Sequence, residues 1–228
     1  MLTGSAPISA DVLDFLKIAF CCPIVEGYGL TETSAGSFVS LMHDPLSGHC
    51  GGPQSNVKIK LKDIPEMGYS SQNAEPTGEC LMYGTSVMTG YYKNPEKTAE
   101  AFDGPPENGW LKTGDVVKVF PNGSIKIIDR AKNIFKLSQG EYVAPEKVEN
   151  ILVQSPWLLQ VWIHGDSLQN HCIMIACVDD IKFKNWAESK GKPFEQGTLD
   201  DEGLRDEVYA DVIRLCKENK LNSLETPK

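Results

Sequence analysis

The chain has 228 residues, 41% of them hydrophobic, and a formal net charge of -9. This is long enough to bury a sizeable core in one or two domains. The acidic balance, with no Lys/Arg-rich block or basic helix, argues against a nucleic-acid partner.

The seven cysteines are odd in number, include the adjacent pair Cys21-Cys22 and show no C-x-x-C spacing. They make neither a disulfide framework nor a zinc site, so buried free thiols in a reducing, intracellular compartment are expected. No apolar run approaches the roughly 18 residues needed to span a bilayer. Ser5, Pro7, Ser9 and Asp11 interrupt anything resembling a signal peptide. A membrane anchor upstream of Met1 stays open.

In chain order, residues 9–20 read as a helix with Ser9 as N-cap, because Val12, Leu13, Leu16, Ala19 and Phe20 recur at helical spacing. Cys21 to Gly27 reads as a short buried strand running into a turn, and the Gly/Ser/Thr-rich stretch to about Gly52 as loop. Val57, Ile59 and Leu61 alternate with Lys58, Lys60 and Lys62, the pattern of a half-buried strand. Another strand begins at Gly78. Asn94 and Pro95 open a helix as N-cap and first helical residue. Asn122-Gly123 between Val116–Phe120 and Ser124–Ile128 predicts a hairpin. Beyond it, Pro145 to Gln154 is helical, Leu158–His164 and Cys172–Val178 are two strands of a small sheet, Phe183–Lys190 is a short helix and residues 203–219 form an amphipathic one. Strands mixed with helices predict an α/β (mixed α+β) chain of two units meeting near Asp129.

Two segments could carry chemistry. In Glu26-Gly27-Tyr28-Gly29-Leu30-Thr31-Glu32-Thr33 the Gly-x-Gly turn lets backbone approach a ligand, Tyr28 offers a flat ring, Thr31 a hydroxyl and Glu32 a hard oxygen for a cation. The same residues also make an ordinary polar turn after a buried strand. Arg130, Lys132 and Lys136, followed by Ser138-Gln139-Gly140, suit phosphate but equally make a solvated basic loop. Asp115, after Thr113-Gly114, could hold two ribose hydroxyls or simply close a turn. There is no G-x-S-x-G elbow, no G-x-x-x-x-G-K-[ST] loop and no H-E-x-x-H. His43, His49, His164 and His171 lack metal-ligand spacing and read as structural or surface residues. Trp110, Trp157, Trp162 and Trp186 read as packing residues.

Taken in order, these segments resemble the adenylate-forming (AMP-binding) superfamily, and within it the eukaryotic long-chain acyl-CoA synthetases. Thr3-Gly4-Ser5-Ala6-Pro7 looks like the adenine-side loop and Glu26 to Thr33 like the Y-G-x-T-E motif. Gly78-Glu79, Gly90-Tyr91-Tyr92-Lys93-Asn94-Pro95-Glu96-Lys97-Thr98 and Gly109 to Asp115 follow. Ile127 to Asn150 looks like the hinge and the first part of the small domain.

The resemblance covers nearly the whole chain. It implies the C-terminal part of a large domain over residues 1–129 and an incomplete small α+β domain over residues 130–228. It implies a two-step reaction in which a long-chain fatty acid and Mg-ATP give an acyl-adenylate, and CoA then displaces AMP. By the same resemblance Gly4, Ser5, Ala6, Gly27 and Tyr28 line the adenine pocket, Thr31 binds the α-phosphate, and Glu32 holds Mg²⁺. Asp115 takes the ribose hydroxyls with Arg130 beside it. Lys132 and Lys136 contact phosphate or close the small domain, Gly140 faces CoA, and Asp129 is the hinge. The implied location is the cytoplasmic face of the endoplasmic reticulum or peroxisome membrane, with membrane association through an upstream region.

Three departures qualify this. Nothing before Thr3 matches the family's triphosphate loop, Lys228 lacks the setting of its adenylation lysine, and Ala131 stands where relatives carry a first lysine of a pair. The 228 residues alone are therefore expected not to catalyse ligation, and residues 1–128 alone to expose unpaired sheet edges. Two other readings stay open: an adenylating enzyme for another carboxylic acid, and a non-catalytic nucleotide- or CoA-binding remnant.

Overall fold

The computed structural model describes residues 1–6 and 8–228, with the backbone alone at Gln196. Pro7, which closes the opening loop of the family resemblance and helps interrupt the start of the chain, lies outside the described residues. Contacts divide the chain into two compact units, Met1–Ala131 and Lys132–Lys228.

The first unit opens with strand β1 (Leu2–Thr3) and helix α1 (Ala10–Ala19). The Ser9 side chain caps α1 by accepting from the Val12 N–H. The helix ends where Cys21 turns left-handed at φ 48°. Strand β2 therefore covers Val25–Tyr28, and the expected start at Cys21 is corrected: Cys21 and Cys22 belong to the exit turn.

A 3₁₀ turn, Thr31–Thr33, follows. Within the stretch expected to be loop lie two further strands, β3 (Phe38–Val39) and β4 (Gly52–Pro53). They are too short to leave a period of two in the sequence. β1 to β4 form one sheet in chain order, with β1 and β2 parallel and the other pairs antiparallel.

A second sheet holds β5 (Val57–Lys62), β6 (Thr77–Gly84), β7 (Phe102–Asp103), β8 (Trp110–Val119) and β9 (Ile125–Arg130), with helix α2 (Pro95–Ala101) between β6 and β7. Its order is β5-β6-β8-β7, with β9 also on β8. The β8–β9 hairpin turns at Gly123, φ +82°. Phe38, Val57, Met82, Val117 and Ile125 form a buried core together with Tyr28.

The second unit begins with β10 (Phe135–Lys136) and β11 (Tyr142–Val143), an antiparallel pair, then helix α3 (Pro145–Leu152). Strands β12 (Leu158–His164) and β13 (Ile173–Val178) make a second antiparallel pair. Helix α4 (Asp180–Ser189), capped by Asp179, starts three residues before the expected Phe183 because that cap fixes its first turn. Helix α5 (Glu202–Glu218) closes the unit, burying Leu204, Val208, Val212 and Leu215 against Val148 and Leu152.

All seven cysteines are free thiols, but only Cys50, Cys80, Cys172 and Cys216 are buried. The expectation of burial fails at Cys21, on its left-handed turn, at its half-buried neighbour Cys22, and at Cys177, on the uncovered face of the β12–β13 pair. Trp162 is likewise outward, stacked on His164, and does not pack in the core.

Candidate functional site

Strand β2 alternates partly buried and buried residues, so Glu26 and Tyr28 share the inward face. The glycines that flank it allow close backbone contact. A Cβ on Gly4 would lie 2.8 Å from the Gly27 carbonyl oxygen, and one on Gly29 would lie 1.5 Å from that of Ala35. The opening loop thus reaches β2 at Gly4; the next residues, Ser5 and Ala6, are exposed, with Ser5 held left-handed at φ 69°.

Tyr28 is 8% exposed, its ring tilted on Phe38 at 5.8 Å between centroids. The phenol donates to Asp115 Oδ2. Burial, with the neighbouring carboxylate adding to it, pushes its pKa far above the ordinary tyrosine range.

Asp115, 3% exposed, also receives Arg130 Nε at 3.3 Å from Oδ1. The register explains this pair, because Asp115 and Arg130 are direct cross-strand partners on β8 and β9. Upstream of Asp115, Gly114 supplies φ +73°. The Thr113 hydroxyl accepts the Asp115 N–H at 3.1 Å and donates to the Cys80 carbonyl at 2.7 Å. Asp129 is fully buried and accepts the Arg130 N–H at 2.6 Å. Both Asp129 and Arg130 lie on the β9 ladder inside the first unit.

Just past Tyr28, Thr31 is exposed and Glu32 half-buried on the 3₁₀ turn. Glu32 Oε1 accepts the Tyr91 phenol at 2.8 Å, and the Glu32 carbonyl accepts the Met88 N–H at 2.8 Å. No hydrogen bond engages Oε2 among the described residues. No cluster of three or more His, Cys, Asp or Glu able to hold a metal occurs among the described residues. A lone carboxylate still fits magnesium, which is commonly held by one or two carboxylates together with substrate phosphates and water.

The structure therefore joins Gly4, Gly27, Tyr28, Asp115 and Arg130, with Thr31 and Glu32 on the adjoining turn. Lys132, Lys136 and Gly140 belong to the second unit. Lys132 sits in an exposed turn. Lys136 Nζ lies 5.2 Å from the Tyr142 ring centroid. Gly140, at φ +92°, closes the β10–β11 hairpin by donating to the Leu137 carbonyl at 2.9 Å.

Sequence reasoning assigned no role to Tyr91, Thr98 or Thr113. A hydroxyl that serves by bonding a distant partner leaves no periodic trace. The only signal for the first two was their place in the Gly90–Thr98 run.

Residues 1–92 match the family model described as AMP-binding enzyme. The chain is 45% identical over 233 residues to the peroxisomal long chain acyl-CoA synthetase 7 of Arabidopsis thaliana, a match covering 100% of this chain and 33% of that protein. It is 45% identical over 232 residues to human long-chain-fatty-acid–CoA ligase 1, covering 100% of this chain and 32% of that one. Among solved structures, the adenylation domain of a Mycobacterium chelonae carboxylate reductase matches with a TM-score of 0.82 and 30% identity, over 100% of this chain and 32% of that chain. The A domain of the Segniliparus rugosus carboxylic acid reductase, in complex with AMP and a co-purified carboxylic acid, matches at 0.81 with 30% identity, over 100% of this chain and 32% of that one. The chain is thus related along its whole length to eukaryotic long-chain acyl-CoA synthetases, shares the mixed α/β fold of adenylation domains, and spans about a third of the length of the curated relatives it matches.

Proposed function

We propose that this chain contributes the nucleotide-binding part of a long-chain fatty acid–CoA ligase. A fatty carboxylate oxygen attacks the α-phosphorus of ATP and pyrophosphate leaves. The thiol sulfur of CoA then attacks the acyl carbon, loses its proton and releases AMP. The observation that carries the reading is the junction of Tyr28, Asp115 and Arg130 at the end of β2, one turn before Glu32. The kinship with named ligases supports the substrate class.

The chemistry asked of these residues is orientation and charge neutralisation. A carboxylate is repelled by the triphosphate it must attack, so held geometry and fixed positive or dipolar groups supply the rate. Asp115 is a carboxylate, an acceptor-only group when ionised. An acceptor of this kind suits the two ribose hydroxyls. Arg130, with its side chain half exposed, is free to lean from Asp115 toward the ribose or phosphate. Gly4, Ser5, Ala6, Gly27 and Tyr28 form the adenine side. Thr31 presents its hydroxyl to the α-phosphate.

Glu32 would hold Mg²⁺, which when bound screens the phosphate charge. Lys132 and Lys136 serve phosphate binding or domain closure, and Gly140 with its neighbours serves CoA, in the 130–228 domain. We place the work at the cytoplasmic face of the endoplasmic reticulum or peroxisome membrane, where long-chain acids partition. No helix among the described residues is long and apolar enough to cross a membrane.

The test is a direct assay of the native protein with a C16 fatty acid, ATP and CoA. AMP and acyl-CoA forming in equal amounts supports the reading. Turnover of short acids or amino acids in preference to C16 acids overturns the substrate class. AMP binding without any acyl-CoA points to the non-catalytic alternative.

A further inference from the structure

The turn that carries Glu32 does not stand alone. The segment before helix α2 is stapled to it at three points. The Tyr91 phenol donates to Glu32 Oε1 at 2.8 Å. The Met88 N–H donates to the Glu32 carbonyl at 2.8 Å. The Ser34 hydroxyl donates to the Ser86 carbonyl at 3.0 Å. The Met88 bond holds the backbone of the turn, the Ser34 bond ties the side chain at its end, and only the Tyr91 bond fixes the carboxylate itself.

Tyr91 is in turn anchored. Its N–H donates to Thr98 Oγ1 at 2.9 Å, while the Thr98 hydroxyl donates to the Asn94 carbonyl at 2.8 Å. Gly90 permits the approach, since a Cβ there would stand 2.7 Å from Thr98 Cγ2 at φ +153°. Lys97 Nζ sits 5.1 Å from the Tyr91 ring centroid, which holds the ring from a further side. The run from Gly90 to Thr98 thus forms a rigid bracket whose end is one phenolic hydroxyl on Glu32.

We propose that Tyr91 is a positioning residue for the cation carboxylate: it occupies Glu32 Oε1 and so turns Oε2 toward a divalent cation carried by the nucleotide. This rests on the assignment of Glu32 as that cation's ligand. Hydrogen-bonded partners of a metal-binding carboxylate fix its orientation, and their loss commonly costs about 10- to 100-fold in metal affinity. The Tyr91→Phe change removes only the hydroxyl and keeps the ring, its packing and its lysine neighbour.

The experiment is calorimetric titration of the native protein with ATP, with and without Mn²⁺ as probe cation, and with AMP in the absence of metal. The expected result is that Tyr91→Phe shrinks the Mn²⁺-dependent gain in ATP affinity by about 10- to 100-fold while leaving metal-free AMP affinity unchanged. Glu32→Gln should abolish the same gain. Thr98→Val, which loosens Tyr91 without touching Glu32, should give a smaller loss in the same direction and serves if the Phe variant does not fold. A full Mn²⁺ gain in Tyr91→Phe, beside its loss in Glu32→Gln, overturns the positioning role and leaves the site assignment standing. An equal loss of AMP and Mn²⁺-ATP binding in Tyr91→Phe also overturns it, because the residue would then be structural. Failure of the unaltered protein to bind AMP at all removes the functional reading and this inference with it.

Discussion

Tyr28 and Asp115 stand 87 positions apart in the sequence, yet the phenol of one donates to the carboxylate of the other. The bond ties the end of β2 to the centre of β8 and makes one buried polar unit from two sheets. It also leaves each residue dependent on the other, since burial makes an unmatched polar group costly.

Tyr28→Phe is expected to destabilise the protein by about 1–3 kcal/mol at neutral pH, the cost of removing a donor from a buried carboxylate. The folded pKa of Tyr28 is raised above the unfolded value of about 10. The contribution is therefore fully present below about pH 10 and is lost as pH rises beyond it. Urea unfolding at a series of pH values checks both statements. Equal stability of the two proteins at pH 7 would contradict them.

Glu26 is 9% exposed, with its Oε2 buried and without a hydrogen-bond partner among the described residues. Burial raises its pKa above the ordinary 4.5, against smaller opposing effects of Cys50, Lys126 and Lys17. The raised value means that its contribution is complete below the unfolded pKa and falls away as pH rises through the folded one. Glu26→Gln removes that loss. Its thermal midpoint, measured against the parent from pH 4 upward, should gain steadily with pH and then level off. A pH-independent difference would show that Glu26 does not titrate in this way.

Thiol labelling separates the cysteines. Cys21 and Cys177 are exposed and should react first with a disulfide reagent. Cys50 and Cys80 should wait for unfolding, because burial pushes both thiols up to about 12 and leaves little thiolate at neutral pH. Mass mapping of the labelled sites after brief exposure gives the order.

Gly29→Ala probes the turn. The added Cβ would fall 1.5 Å from the Ala35 carbonyl oxygen, so the backbone between them must move. A cost of about 1–3 kcal/mol is expected, accompanied by loss of the Mn²⁺-dependent gain in ATP affinity, since Glu32 rides on the same turn. Unfolding and calorimetry on one variant measure both.

Much of the fold was legible because local rules agree. Ser9, Asn94 and Pro95 mark helix starts, the Val57–Lys62 alternation marks a strand, and Asn122-Gly123 marks a hairpin. What stayed hidden was short or non-local. β3 and β4 are two residues each and exist through pairing alone. At the site, Tyr28, Glu32, Asp115 and Arg130 stood out as residue types in recognisable runs. Their partners did not, because the Tyr28–Asp115 and Tyr91–Glu32 bonds depend on sheet register and on a close Gly90 contact that no window of sequence contains.

On the proposed function, the Tyr28–Asp115–Arg130 junction receives the ribose of an adenine nucleotide. Calorimetric titration of the native protein and of Asp115→Asn with AMP decides whether it does. The expected result is about a 10- to 100-fold loss of affinity in a variant that remains folded, the scale of losing hydrogen bonds to a charged group. Unchanged AMP affinity in folded Asp115→Asn would contradict it.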